Sequence, residues 1–196
     1  MENVKFDFLL KEYDEMFAEK RYYDGRFYSL LSLYISLITF TVTAVVIVTN
    51  VISFQANVLN GIVSLFDCLV GIIIFISLYF NRVNYVKVCR QINAIRNFCL
   101  RNYCSDFAPF NHMYTNDKFP KYNMLKSIHF ILMVFLAVCN SIFLSFAILL
   151  FLYSYFQILS FILAALFCLL VVAAQILLLD FNTKKRDMNN DSSQTF

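Results

Sequence analysis

Apolar residues run through the chain in four long blocks, at 27–49, 58–80, 127–153 and 156–179, with the charged residues crowded between and outside them. Each block is long enough to cross a hydrocarbon core of about 30 Å, which takes roughly 20 helical residues. Turns of a few residues separate the first block from the second and the third from the fourth. The pattern predicts an all-α, polytopic membrane protein whose four transmembrane helices form two antiparallel hairpins. Ahead of the first span, Phe6, Leu9, Leu10, Tyr13, Phe17 and Lys20 recur at steps of three and four. That spacing predicts an amphipathic helix over 4–24, which either packs its apolar face on the rest of the protein or offers it to a partner. Beyond the second span, Tyr85, Val88, Ile92, Ile95 and Cys99 are spaced three, four, three, four, with no Gly or Pro after Gly71 to interrupt them. They predict that span two continues past the membrane as a helix with an apolar seam.

Polar residues inside the spans are also periodic. In span one Ser29, Ser32, Ser36, Thr39 and Thr43 lie along one stripe; in span two Asn57, Asn60, Ser64, Asp67 and Gly71 do the same. The hairpin lets the two stripes face each other or a common cavity. Small and hydroxylated residues let helices approach and bond across a contact, so each stripe reads either as a packing seam or as the lining of a wet pore in an oligomer. The pore-lining candidates are Ser32, Ser36, Thr39, Thr43, Asn60, Ser64 and Asp67. Asp67 is the one ionisable side chain well inside a span, where an ionised carboxylate costs about 2.5–3.5 kcal/mol on insertion scales. Three roles stay open for it: a protonated hydrogen-bonding group, a residue that draws cations into a pore, or a proton relay.

Composition sharpens this picture. The chain is 60% hydrophobic, and its 196 residues include only three Gly and two Pro. A mean hydropathy of +0.66 excludes an ordinary soluble domain, and the scarcity of turn formers excludes a β-barrel. The first block follows a charged segment and is followed closely by a second span, so it reads as a span and not as a signal peptide. Charge sets the orientation. Residues 1–26 hold Lys5, Lys11, Lys20, Arg21 and Arg26. Residues 81–126 hold Arg82, Lys87, Arg90, Arg96, Arg101, Lys118, Lys121 and Lys126, and the tail holds Lys184, Lys185 and Arg186. No other Lys or Arg is present. Four spans bring the three segments to one side, which the positive-inside rule makes the cytoplasm, with both termini there. The division expected is a cytoplasmic helix at 1–26, a first transmembrane hairpin at 27–80, a cytoplasmic basic helix and loop at 81–126, a second hairpin at 127–180 and a disordered tail at 181–196.

The segment 81–126 holds only Asp106 and Asp117 against its eight cations. Lys87, Arg90, Arg96, Arg101, Lys118 and Lys121 are therefore candidates for holding a ligand or a partner. Such a face is either solvated, set against lipid headgroups, or used to bind a phosphate-bearing ligand, with a nucleotide or single-stranded nucleic acid as a further reading of its basic and aromatic character. Residues 103–126 carry both prolines and many Phe and Tyr, and read as an irregular loop folded onto the interface or the cytoplasmic helices. In spans three and four, Asn140, Ser141, Ser145, Ser160 and Cys168 read as helix contacts. The six Cys match no zinc-binding spacing and there is no nucleotide-loop, metalloprotease or hydrolase motif. With two His and no nucleophile setting, the chain reads as a non-enzyme without cofactors.

The order of an aromatic, basic helix (EYDEMFAEKRYYDGRFYSLLSLYI), a membrane hairpin and a second basic helix (NRVNYVKVCRQINAIRNF) resembles the SLATT-type small membrane effectors of bacterial conflict systems. The resemblance covers roughly residues 10–102 and is one of layout; those effectors usually have two spans where this chain has four. It implies an inner-membrane protein that oligomerises and breaches the membrane in antiphage defence, released by a cytoplasmic protein partner or a nucleotide-derived signal. The expectation from the sequence is thus an oligomeric pore-forming or membrane-perturbing effector gated from the cytoplasm. The alternative is a non-conducting membrane anchor that recruits a cytoplasmic partner.

Overall fold

The computed structural model describes residues 2–51, 56–103, 116, 118–122, 127–152 and 157–192. The regular structure among them is four helices, α1 (Glu2–Val51), α2 (Ala56–Asn102), α3 (Ile128–Leu152) and α4 (Gln157–Ser192). Each contains a stretch long and apolar enough to cross a membrane, so the chain is a multi-pass membrane protein. At about 1.5 Å per residue, the 25 residues of α3 match one crossing. The 50 residues of α1 and 47 of α2 reach roughly 35 Å beyond it.

The helices pack in chain order, α1 on α2, α2 on α3 and α3 on α4. Side-chain contacts fix the register. Phe6 meets Tyr103, Arg96 meets Tyr13, Asn81 meets Tyr23 and Thr41 meets Asp67, so α1 and α2 run in opposite chain directions along their whole length. Arg82 with Ser127 and Gly71 with Asn140 set the same relation between α2 and α3, as Ser145 with Ala164 and Ser141 with Cys168 do for α3 and α4. The segments of α1 and α2 that overreach the membrane thus lie together at one end, which also carries most of the basic residues.

α2 is the central helix. In its most apolar window 44% of residues are buried, against 11% for α4. The core lies where α1, α2 and α3 meet, around Phe27, Leu31, Tyr34, Phe75, Leu78, Met133 and Leu136. Outside it the helices expose Phe40, Ile73, Ile158, Leu169 and many other large apolar side chains. In water this would be costly; in lipid it is the required surface.

Two expected boundaries are absent. The helix over 4–24 and span one are a single helix: Gly25 is the one breaker between them, and a mid-helix Gly costs only about 1 kcal/mol. The tail expected to be disordered is helical through Ser192. No Gly or Pro follows Gln157, and extending an existing helix is far cheaper than starting one. The buried Thr183 hydroxyl returns to the carbonyl of Leu179 at 2.6 Å within that extension. The turns at 52–55 and 153–156, most of the loop over 103–126 (including Cys104 and His112), and residues 193–196 lie outside the described residues.

Candidate functional site

Asp67 is fully buried, in a polar cluster built by three helices. α1 contributes Tyr34 and Thr41, which belong to the inward face Phe27, Leu31, Tyr34, Ile38, Thr41. α2 contributes Asn60, Ser64, Asp67 and Gly71, all buried, and α3 contributes Asn140 and Ser141. Tyr34 donates its hydroxyl to Asn140 Oδ1 at 2.6 Å. Gly71 makes this possible: a Cβ there would run into the Asn140 amide carbonyl and the Tyr34 ring. Thr41 Oγ1 lies 3.0 Å from the Leu37 carbonyl and 3.1 Å from Asp67 Oδ1. A hydroxyl carries one hydrogen, so both contacts are hydrogen bonds at once only when Asp67 supplies a proton to one of them. Asp67 Oδ2 and Asn140 Nδ2 have no partner among the described residues.

The span-one stripe lies elsewhere. Ser29, Ser32, Ser36, Thr39 and Thr43 are all exposed, on the side of α1 turned away from α2. Thr39 and Thr43 donate to carbonyls one turn back, at 2.9 and 2.8 Å, which satisfies their hydroxyls wherever they face. The expectation that the two stripes face each other or share a cavity is therefore corrected. Asn60, Ser64 and Asp67 face α1 and α3, while Ser32, Ser36, Thr39 and Thr43 face out.

At the basic end the apolar faces of the two overreaching segments meet. Phe6, Leu9, Leu10 and Tyr13 line a groove with Ile95, Cys99 and Leu100, so the N-terminal apolar face turns toward α2, with Phe6 and Leu10 still exposed. Asn93, buried, donates to the carbonyls of Asn116 and Phe119 at 3.1 and 2.8 Å and ties both residues to α2. Arg90 donates to the Pro120 carbonyl at 3.0 Å and lies 4.4 Å over the Tyr122 ring. Lys87, Arg101, Lys118 and Lys121 are exposed.

Between α1, α2 and the residues Asn116, Phe119, Pro120 and Ser127 lies a cleft of about 680 Å³. Lys20, Arg82 and Arg96 are its cationic lining, Phe17, Tyr85 and Phe119 its aromatic walls, and no described lining residue is acidic. Arg82, 4% exposed, donates to Ser127 Oγ at 2.9 Å and the Tyr122 carbonyl at 3.3 Å. Arg96 donates to the Tyr13 hydroxyl at 2.9 Å and lies over the Tyr13 and Phe17 rings. Cys89 also lines the cleft. Burial pushes its thiol up from the usual range, and the neighbouring Lys20 charge acts against that shift. Among the described residues, Asp24 is a carboxylate near the cleft, its Oδ1 3.1 Å from His129 Nε2.

Of the six cationic candidates from the sequence, only Arg96 lines the cleft; Lys20 and Arg82 complete it. Each carried a signal. Lys20 closes the amphipathic face of Phe6 to Phe17, and Arg82 is the first charge after span two. Thr41 and Tyr34 carried none, because they sit at apolar spacing among apolar residues. Comparison of the chain with known protein families, with curated proteins and with solved structures finds no match.

Proposed function

We propose that this protein is an oligomeric membrane effector, a channel-like or membrane-perturbing assembly controlled from its basic end, with that end and both termini in the cytoplasm. The observation that carries the reading is the continuity of α2. One unbroken helix bears the Asp67 cluster in the membrane and, from about 22 to about 44 Å further on, the wall of the basic cleft. A change of packing at the cleft is therefore transmitted along a stiff element to the contact between α1, α2 and α3. In this reading the two antiparallel hairpins are at rest when Thr41, Asp67, Tyr34 and Asn140 are joined. The outward hydroxyl face of α1 meets neighbouring copies and lines the path. The layout resemblance to SLATT-type effectors is the support for a role in bacterial antiphage defence, with a cytoplasmic protein partner as the trigger.

A second reading, the non-conducting anchor, is favoured by one observation: Asn60, Ser64 and Asp67 are sealed from any open path. Ion flux separates the two. Proteoliposomes holding the purified protein should release trapped potassium faster than empty vesicles, and faster still with Asp67→Ala, which removes the latch. Tight vesicles with both proteins favour the anchor.

A further inference from the structure

The cleft at the basic end is more than a gap between helices. Its cations come from two elements, Lys20 from α1 and Arg82 and Arg96 from α2. Among the described residues at the cleft, with Asp24 counted, three cations stand against one carboxylate. Its walls are aromatic, and its volume falls in the range that holds a small organic ligand. Arg82 is two residues past the end of the apolar block of span two, whereas Arg96 is about 21 Å further along the helix. Guanidinium groups suit the several acceptor oxygens of a phosphate, and aromatic faces suit an apolar or planar body attached to it.

We infer that this cleft binds a phosphate group carried on an apolar or aromatic body, held by Lys20, Arg82 and Arg96. An anionic lipid headgroup and a soluble organic phosphate share that chemistry. A headgroup would reach the cleft from the Arg82 end, and a soluble phosphate would reach Lys20 and Arg96 from the aqueous end. The inference rests on the reading above only in taking this end as the one that receives signals. Binding is measured without reference to ion flux, so either can fail alone.

Cys89 reports on occupancy. The test is the rate of Cys89 alkylation by N-ethylmaleimide in the full-length protein, followed by peptide mass spectrometry. Cys99, in the neighbouring groove, serves as the internal control. Adenosine diphosphate in detergent is the soluble probe. Phosphatidylglycerol nanodiscs against phosphatidylcholine nanodiscs are the lipid probe. At roughly ten times its dissociation constant a ligand in the cleft slows Cys89 about tenfold and leaves Cys99 unchanged. Protection by the nucleotide identifies a soluble source, and protection in phosphatidylglycerol alone identifies a headgroup. In both cases Lys20→Gln and Arg96→Gln should each weaken binding by about tenfold, so that the same ligand concentration slows Cys89 only about twofold. Lys20→Gln spares the Arg96–Tyr13 bond, so its effect is not one of misfolding. Unchanged Cys89 rates with both probes, or protection that survives both substitutions, would overturn the inference.

Discussion

Asp67 shows how a carboxyl group is accommodated in a membrane span without a basic partner. Its Oδ1 meets Thr41 and its Oδ2 has no hydrogen-bond partner among the described residues, an arrangement in which one hydrogen bond is all the carboxyl group makes. A carboxamide of the same size reproduces it, because its amide group can donate to Thr41 in the same way. Asp67→Asn should therefore leave the melting temperature in detergent nearly unchanged. Asp67→Ala should cost about 1–3 kcal/mol through the lost bond and the space left behind. Equal damage from both would mean that the ionised form matters. Gly71 is the matching steric requirement. Gly71→Ala should destabilise by about 1–3 kcal/mol, the usual cost of overpacking, and adding Asn140→Ala should recover part of that loss. Independent, additive losses in the double variant would deny the contact.

At the scale of elements, the long helices α1 and α2 join the membrane cluster to the basic end. Gly25 is inside α1 with nothing within 4 Å of where a Cβ would stand. In a continuous helix Gly25→Ala should raise stability by about 0.5–1 kcal/mol, read as a higher melting temperature; a loss of stability would show that the chain bends there. The sequence displayed some of these elements and hid others. Four apolar blocks of span length, and a chain without breakers from Gly71 to Asn102, made the spans and the extension of α2 legible. The inward face of α1 was hidden. In lipid, polarity no longer separates inside from outside, so the stripe of Ser32, Ser36, Thr39 and Thr43 drew attention while the packed face was carried by Phe27, Tyr34 and Thr41. The cleft was half legible. Arg96 stood out as a cation on an amphipathic helix, but its meeting with Lys20, some seventy residues earlier in the chain, depends on how α1 and α2 align.

On the scale of the whole molecule, the four span-length helices alternate in direction, which gathers most of the described basic residues at one end. Fusion of a reporter active only in the cytoplasm should give signal at either terminus, and none when inserted between α1 and α2 or between α3 and α4. Signal at one terminus alone would break the four-span topology. The central claim is that the hydroxylated face of α1 lines a conducting path in an assembly of several copies. Single-channel recording of Thr39→Cys in planar bilayers, before and after a positively charged methanethiosulfonate reagent, tests it most directly, with the wild type as the control for the native cysteines. The predicted result is discrete currents in both proteins, and a reduction by the reagent in Thr39→Cys alone. Silent bilayers, or currents in Thr39→Cys indifferent to the reagent, would contradict it.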